Sequence, residues 1–257
     1  MMNLKPAMRY QVRDYVVSSL IFAGVNLLII IAMVAGLLYF QIKTGTNSVS
    51  YNGYSLSCMI FFFVYGLVVP RQVTRLCAQL GVCRRTAFLS LFPPMVLAAF
   101  VLAILGEGML GVAKTVSAAR GGPPLFNDLF AFIYLGGTGS PTLGQHGLAV
   151  LFGITYMLAG FCLGIFLTFL FWRLNKVGCI IAGLAIPVVL VGLPALIFLF
   201  YPTVFAPLVR LAAHLGHLWV SSPWWAMAFA LVLALVFAGI SWLLIRRTNI
   251  RAGSLSK

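Results

Sequence analysis

Residues 16–40 read VVSSLIFAGVNLLIIIAMVAGLLYF, an unbroken apolar run without a single Asp, Glu, Lys or Arg. A helix needs about 20 apolar residues to cross the hydrocarbon core of a bilayer. This run is therefore long enough to span. It is also too long for a cleaved secretory signal, whose apolar region covers about 7–15 residues, and no clear A-x-A signature follows it. The reading is a retained first transmembrane helix.

Outward from that run, five further segments have the same character: residues 54–69, 86–106, 148–172, 177–201 and 224–245. The expected fold is an all-α integral membrane protein of six transmembrane helices forming one transmembrane domain over residues 1–257. Composition agrees. Of the chain, 62% is apolar and 8% charged, against about 25% charged in a soluble domain, so a water-facing surface cannot be assembled from it. The net charge of +14 does not point to nucleic acid, because the basic residues sit in short clusters beside apolar runs. There they set topology and contact anionic headgroups, making the lipid bilayer the expected partner.

Lys and Arg favour the cytoplasmic side of a membrane. With the N-terminus inside, all 17 fall on that side except Lys43, Lys114, Arg120 and Arg210. Both termini are accordingly expected in the cytoplasm, in a multi-pass protein of a cell membrane, the bacterial cytoplasmic membrane. Trp172, Trp219, Trp224, Trp225 and Trp242 fall near span ends, where amphipathic rings prefer to lie. Before the first span, Leu4, Met8, Val12 and Val16 recur every four residues beside Lys5, Arg9 and Arg13. That pattern predicts an interfacial helix over residues 3–15, its basic side chains reaching the phosphates.

Residues 70–85 read PRQVTRLCAQLGVCRR. Val73, Leu76, Cys77 and Leu80 follow i, i+3, i+4, i+7, while Arg71, Arg75 and Gln79 share another face. The spacing predicts a short amphipathic helix ended by Gly81 in a left-handed conformation, with Arg84 and Arg85 anchoring the third span. Two readings stand: a docking element for a cytoplasmic partner, or a basic loop that only fixes topology.

On this stretch, on the surface helix and on the six-span layout, the chain resembles the membrane subunit of a type-2 ABC exporter. The very short inside turn Arg173-Leu174-Asn175-Lys176 is similar too, and residues 202–223 lie where that family has short outer helices between spans five and six. The resemblance implies that the second inside loop is a cytoplasmic coupling helix seated on an ATPase. Its ATPase-coupling residues would be Arg71, Gln72, Arg75, Leu76, Gln79, Leu80, Gly81, Arg84 and Arg85. It also implies two copies of a separate ATP-binding-cassette subunit and a second permease half, identical or homologous. A phosphate-cradling GxxxxGK[ST] loop is absent from this sequence. ATP and Mg are thus expected on the partner, with no cofactor in this chain, which exports a peptide, lipid or amphipathic drug.

Other classes fare less well. A membrane-embedded enzyme needs clustered nucleophiles, His pairs or acidic metal ligands, and three His and three acidic residues are too scattered, so the chain is not expected to be catalytic. A standalone secondary carrier usually buries charge near the midplane, and no charge falls well inside a span. An immunity or sensing protein that binds a toxin without transport shares the same topology and stays open.

Glu107, between Gly106 and Gly108 at the outer end of the third span, is read either as a gating residue or as an interfacial carboxylate. Residues 125–135 are apolar around Asp128 and too short to span, hence interfacial or re-entrant. Arg210, His214 and His217 lie on one face of an outer segment without a third metal ligand. Asn26 is expected to bond to a neighbouring helix, the Gly160/Gly164 pair to let two helices approach closely, and Pro93-Pro94, Pro187 and Pro194 to kink their spans. The five cysteines imply no disulfide framework, since none falls in an outer loop.

Overall fold

The structure is a computed structural model and describes residues 4–44, 53–79, 81–119, 128–135, 142–174, 178, 181 and 220–246. These form helices α1 (Leu4–Thr44), α2 (Tyr54–Gln79), α3 (Arg84–Leu89), α4 (Phe92–Ala119), α5 (Leu129–Tyr134), α6 (Leu143–Arg173) and α7 (Pro223–Arg246). Among the described residues, five stretches are long and apolar enough to cross a membrane: Gln11–Gly36, Tyr54–Gln79, Arg84–Val116, Leu143–Arg173 and Pro223–Arg246. The chain is an all-helical, multi-pass membrane protein. Of the expected span over 177–201 only residues 178 and 181 are described; residues 202–219 of the expected outer segment and both extreme termini lie outside the described residues.

The bundle has two chemically distinct ends. Arg71, Arg75, Arg84, Arg85, Arg173 and Arg246 mark one, the arginine end; Glu107, Asp128 and His146 mark the other, the carboxylate end. α1 starts at the arginine end, where the Gln11 amide donates to Ser90 Oγ at 3.4 Å. α6 and α7 run parallel. Phe152 near the start of α6 shares a core with Ala226 and Met227, Phe166 stacks on Phe237 with centroids 5.4 Å apart, and Phe88 touches both Phe169 and Trp242. Residues 174–222 therefore connect opposite ends of the bundle.

The surface helix expected over 3–15 is not a separate element. α1 runs unbroken for 41 residues, about 60 Å at 1.5 Å per residue, and its described buried stripe is Gln11, Tyr15, Ser19, Ala23, Asn26 and Ile30. Polar Gln11 and Ser19 are inside while Val12 and Val16 are only half-buried. Tyr15 explains this choice of face: its ring meets Tyr65 at 4.6 Å and Phe161 at 6.3 Å, tying the helix to α2 and α6. Asn26 donates to the Phe22 carbonyl one turn back at 2.9 Å rather than to another helix.

Nor does the second span stop at residue 69. α2 passes straight through Pro70, so the expected coupling helix is the continuation of the span. A proline inside a helix removes the bond to the carbonyl four residues earlier, here that of Gly66. The single proton of the Thr168 hydroxyl of α6 is shared between that carbonyl, at 3.2 Å, and the Leu67 carbonyl, at 2.8 Å. With the freed acceptor satisfied from outside, the helix has no reason to end.

The same contact continues as a seam of small residues. A Cβ on Gly66 would collide with the Phe161 carbonyl oxygen, one on Gly164 with that of Phe63, and one on Gly160 would press on Met59. The Gly160/Gly164 pair thus brings α6 against α2 backbone to backbone. Pro93 and Pro94 fall in the first turn of α4, where missing N–H groups cost little. The break between α3 and α4 comes just before them, at Ser90 and Leu91.

Candidate functional site

At the arginine end, α2 projects a rigid elbow. Val73, Thr74 and Cys77 are buried, and Thr74 Oγ1 caps the Pro70 carbonyl at 2.6 Å. Arg71, Gln72, Arg75 and Gln79 are exposed. Leu76, expected on the apolar face, is 44% exposed, and Thr74 occupies the buried position in its place. Leu80 lies outside the described residues. Gly81 has φ 68, the left-handed conformation that the sequence predicts, and the Val82 N–H returns to the Cys77 carbonyl at 2.8 Å, closing a helix C-cap.

The chain then enters α3, with Arg84 and Arg85 exposed. Arg84 Nη1 reaches the Arg246 carbonyl at the end of α7 at 3.4 Å. Phe88 is buried in the core it forms with Phe92, Phe169 and Trp242. Arg71, Gln72, Arg75, Leu76, Gln79, Gly81, Arg84 and Arg85 are all exposed, with buried side chains behind them on both sides of the turn. Guanidinium groups can bond carboxylate or phosphate oxygens bidentately.

The carboxylate end gathers residues that are distant in sequence. Glu107 lies within α4, which continues to Ala119 rather than ending at 106. His146 Nδ1 sits 2.8 Å from Glu107 Oε2. Asp128, at the N-terminus of α5, is buried and bonded by the Ser55 hydroxyl of α2. Two of the three acidic residues in the chain thus line one small cavity. Burial, and next the Glu107 carboxylate, push the Asp128 carboxyl from its ordinary 3.8 up to about 6; the Leu129 and Phe130 amides and Lys114 pull the other way without cancelling this.

Tyr54 fixes α2 at the same place. Its hydroxyl donates to the Leu102 carbonyl at 2.9 Å, and its ring lies against Gly106, where any Cβ would collide with it. Residues 129–134, within the segment expected to be interfacial or re-entrant, are a single helical piece with Phe130 and Ala131 buried on α6. The cavity between Glu107, Lys114, Asp128, Gln145 and His146 measures about 20 Å³, room for about one water. Among the described residues no group of three or more His, Cys, Asp or Glu is placed to hold a metal ion.

Sequence reasoning singled out Glu107 but not its partners. One signal was available for His146: Thr142-x-x-Gln145 has capping-box spacing, and the Thr142 N–H does donate to Gln145 Oε1 at 2.8 Å. That cap starts α6 at Leu143 rather than 148 and puts His146 in the first turn. His214 and His217 lie outside the described residues. No known protein family, curated protein or solved structure matches the chain.

Proposed function

We propose that this chain is the membrane subunit of an ATP-driven exporter of the type-2 ABC kind, working with two copies of a separate ATPase and a second permease half. In this reading the arginine end faces the cytoplasm of a bacterial cell and the ATPases bind ATP and Mg. The cargo is a peptide, lipid or amphipathic drug. The observation that carries it is the elbow: α2 is one stiff element from the exposed arginines to Tyr54 and Ser55 at the far end. It is locked to α6 by the Gly66, Gly160 and Gly164 contact. A push on Arg71 to Arg85 would travel along α2 without being absorbed by a hinge at Pro70. The parallel course of α6 and α7 supports a sixth crossing between them.

The test is to isolate the tagged protein from its native membrane in mild detergent and assay ATP hydrolysis. The wild type is expected to retain a stoichiometric ATPase, and R71E/R75E to lose at least tenfold of the co-purified activity while eluting as a folded particle. A wild-type preparation without nucleotide hydrolysis would overturn the reading.

A second reading, a standalone ion-coupled carrier, is favoured by one observation, the Glu107–His146–Asp128 group. It predicts transport by the lone chain in liposomes driven by a proton gradient without ATP.

A further inference from the structure

Beside the Thr168 hydrogen bonds, α2 and α6 border a hollow of about 450 Å³. Among the described residues it is lined by Leu67 and Arg71 of α2, by Thr168, Phe171 and Trp172 of α6, and by Leu174 just beyond. That volume falls within the about 300–1,000 Å³ usual for a small-molecule site. Arg71 is the one charged side chain among these six. It is exposed and makes no ion pair among the described residues, while the Thr168 proton is already engaged by the α2 carbonyls. A ligand here therefore meets one guanidinium and otherwise apolar or aromatic walls.

Depth narrows what that ligand is. Arg71 follows Tyr54 by 17 residues within one unbroken helix, about 26 Å at about 1.5 Å per residue, and Tyr54 sits at the carboxylate end against Gly106. The hydrocarbon core of a bilayer is about 30 Å thick, so Arg71 reaches headgroup level, whereas Arg75 stands about 6 Å further out. Trp172 suits the same level, where amphipathic rings prefer to lie, and its indole is packed parallel to Phe169 within 11° at 6.1 Å. Ile60, Val64 and Leu67 precede Arg71 by 11, 7 and 4 residues and so share its face of α2. Ile60 and Val64 are exposed. An apolar strip thus leads from the cation into the bilayer.

We propose that this hollow binds one anionic phospholipid, its phosphate held by Arg71 beside Trp172 and an acyl chain lying along Leu67, Val64 and Ile60.

The chemistry of the walls selects this occupant. A guanidinium fork matches two phosphate oxygens. A free phosphate would satisfy Arg71 but leave Leu67, Phe171 and Leu174 uncovered, and a lipid covers them with its own apolar part. Among the described residues no acidic side chain lines the hollow, so the ammonium of a zwitterionic headgroup finds no partner there and a net negative headgroup is preferred. Arg71 is thereby set apart from Arg75, Arg84 and Arg85, which remain open to a cytoplasmic partner. Lipid binding here requires no ATPase, so it and the exporter reading stand or fall separately.

Native mass spectrometry of the full-length protein in mild detergent, titrated with phosphatidylglycerol or phosphatidylcholine, reads the site without transport or ATP hydrolysis. The wild type is expected to take up its first phosphatidylglycerol about tenfold more tightly than phosphatidylcholine, and R71Q to lose about tenfold of that affinity, as for one charge-assisted contact. R75Q, one turn along the same helix and likewise exposed, is expected to stay within about twofold of the wild type, its charge being outside the hollow and screened. Millimolar inorganic phosphate or glycerol phosphate is expected to leave the lipid bound. Absence of a preference for the anionic lipid, or equal losses in R71Q and R75Q, would reduce the attraction to diffuse basic charge and overturn the site. Displacement by either soluble phosphate would overturn it too, by making it a site for the anion alone. Should R71Q not fold, the wild-type preference and R75Q decide: a preference lost in R75Q counts against the site.

Discussion

α2 and α6 touch backbone to backbone, whereas α1 and α4 part towards the carboxylate end and leave a groove of about 650 Å³ between them. Gly66, Gly160 and Gly164 make the first contact possible. The second is lined mostly by branched and flexible side chains, such as Ile31, Val34, Ile104 and Val112, with Ala35, Gly108 and Ala113 between them. In lipid, apolar side chains gain little by leaving the tails for one another, so close packing and hydrogen bonds decide which helices adhere. The small-residue pair therefore forms the tight spine of this protein, and the α1–α4 pair leaves its groove open. Overpacking and gap-filling test this difference from opposite directions.

The largest effect is expected where space is least. Gly164→Leu forces a side chain into the Phe63 carbonyl and the Gly66 backbone, and neither atom can step aside as a flexible side chain would. Separating the two helices also removes the Thr168 hydrogen bonds one turn further on. A loss of about 3 kcal/mol or more is expected, read as loss of the monodisperse particle and a large fall in the thermal midpoint in detergent. Unchanged stability would show that α2 and α6 are not the spine.

Five of the six expected spans were legible because crossing a bilayer imposes a length and a polarity that neighbours hardly modify. The same holds for Gly81, since local backbone geometry alone asks for glycine there. The continuity of α2 was not legible. Pro70 reads as a helix end until Thr168, 98 residues later, is known to supply the missing hydrogen bond. The buried face of α1 was misleading for a related reason. Val12 and Val16 are more apolar than Gln11 and Ser19, but lipid accepts valine on the outside, so hydrophobicity no longer says which face is in. At the carboxylate end, Glu107 drew notice as a lone acid beside a span, but His146 and Asp128 come to it from other helices that sequence spacing does not bring together. Asp128 stood out in its apolar segment, and nothing local tells that Ser55 faces it.

A smaller effect is expected for Thr168→Val, which keeps the shape of the seam and removes only its hydroxyl. The Gly66 carbonyl, already deprived of a donor by Pro70, is then left without either partner, and the Leu67 carbonyl loses a second one. Hydrogen bonds between membrane helices average about 0.6 kcal/mol, and a buried acceptor left bare costs about 1–3 kcal/mol. About 1 kcal/mol is expected, seen as a modest fall in the thermal midpoint. The double variant with Pro70→Ala should recover most of the loss, because the restored N–H at position 70 bonds Gly66 within the helix. Failure to recover would mean that the hydroxyl does not answer the proline.

The smallest effect is expected for Val112→Trp. Val112 is 65% exposed on the wall of the α1–α4 groove, and an indole there occupies space that is otherwise left to lipid tails. No backbone atom opposes it, and no buried polar group is disturbed. The change in stability is expected within about 0.5 kcal/mol, the range of substitutions that meet no special feature, and the thermal midpoint should scarcely move. The same indole placed at Gly164 would be ruinous. If Trp at 112 proved as costly as Leu at 164, the groove would have to be closed in the membrane, with α1 packed on α4 along its whole length, and the division into a tight pair and a loose pair would fail.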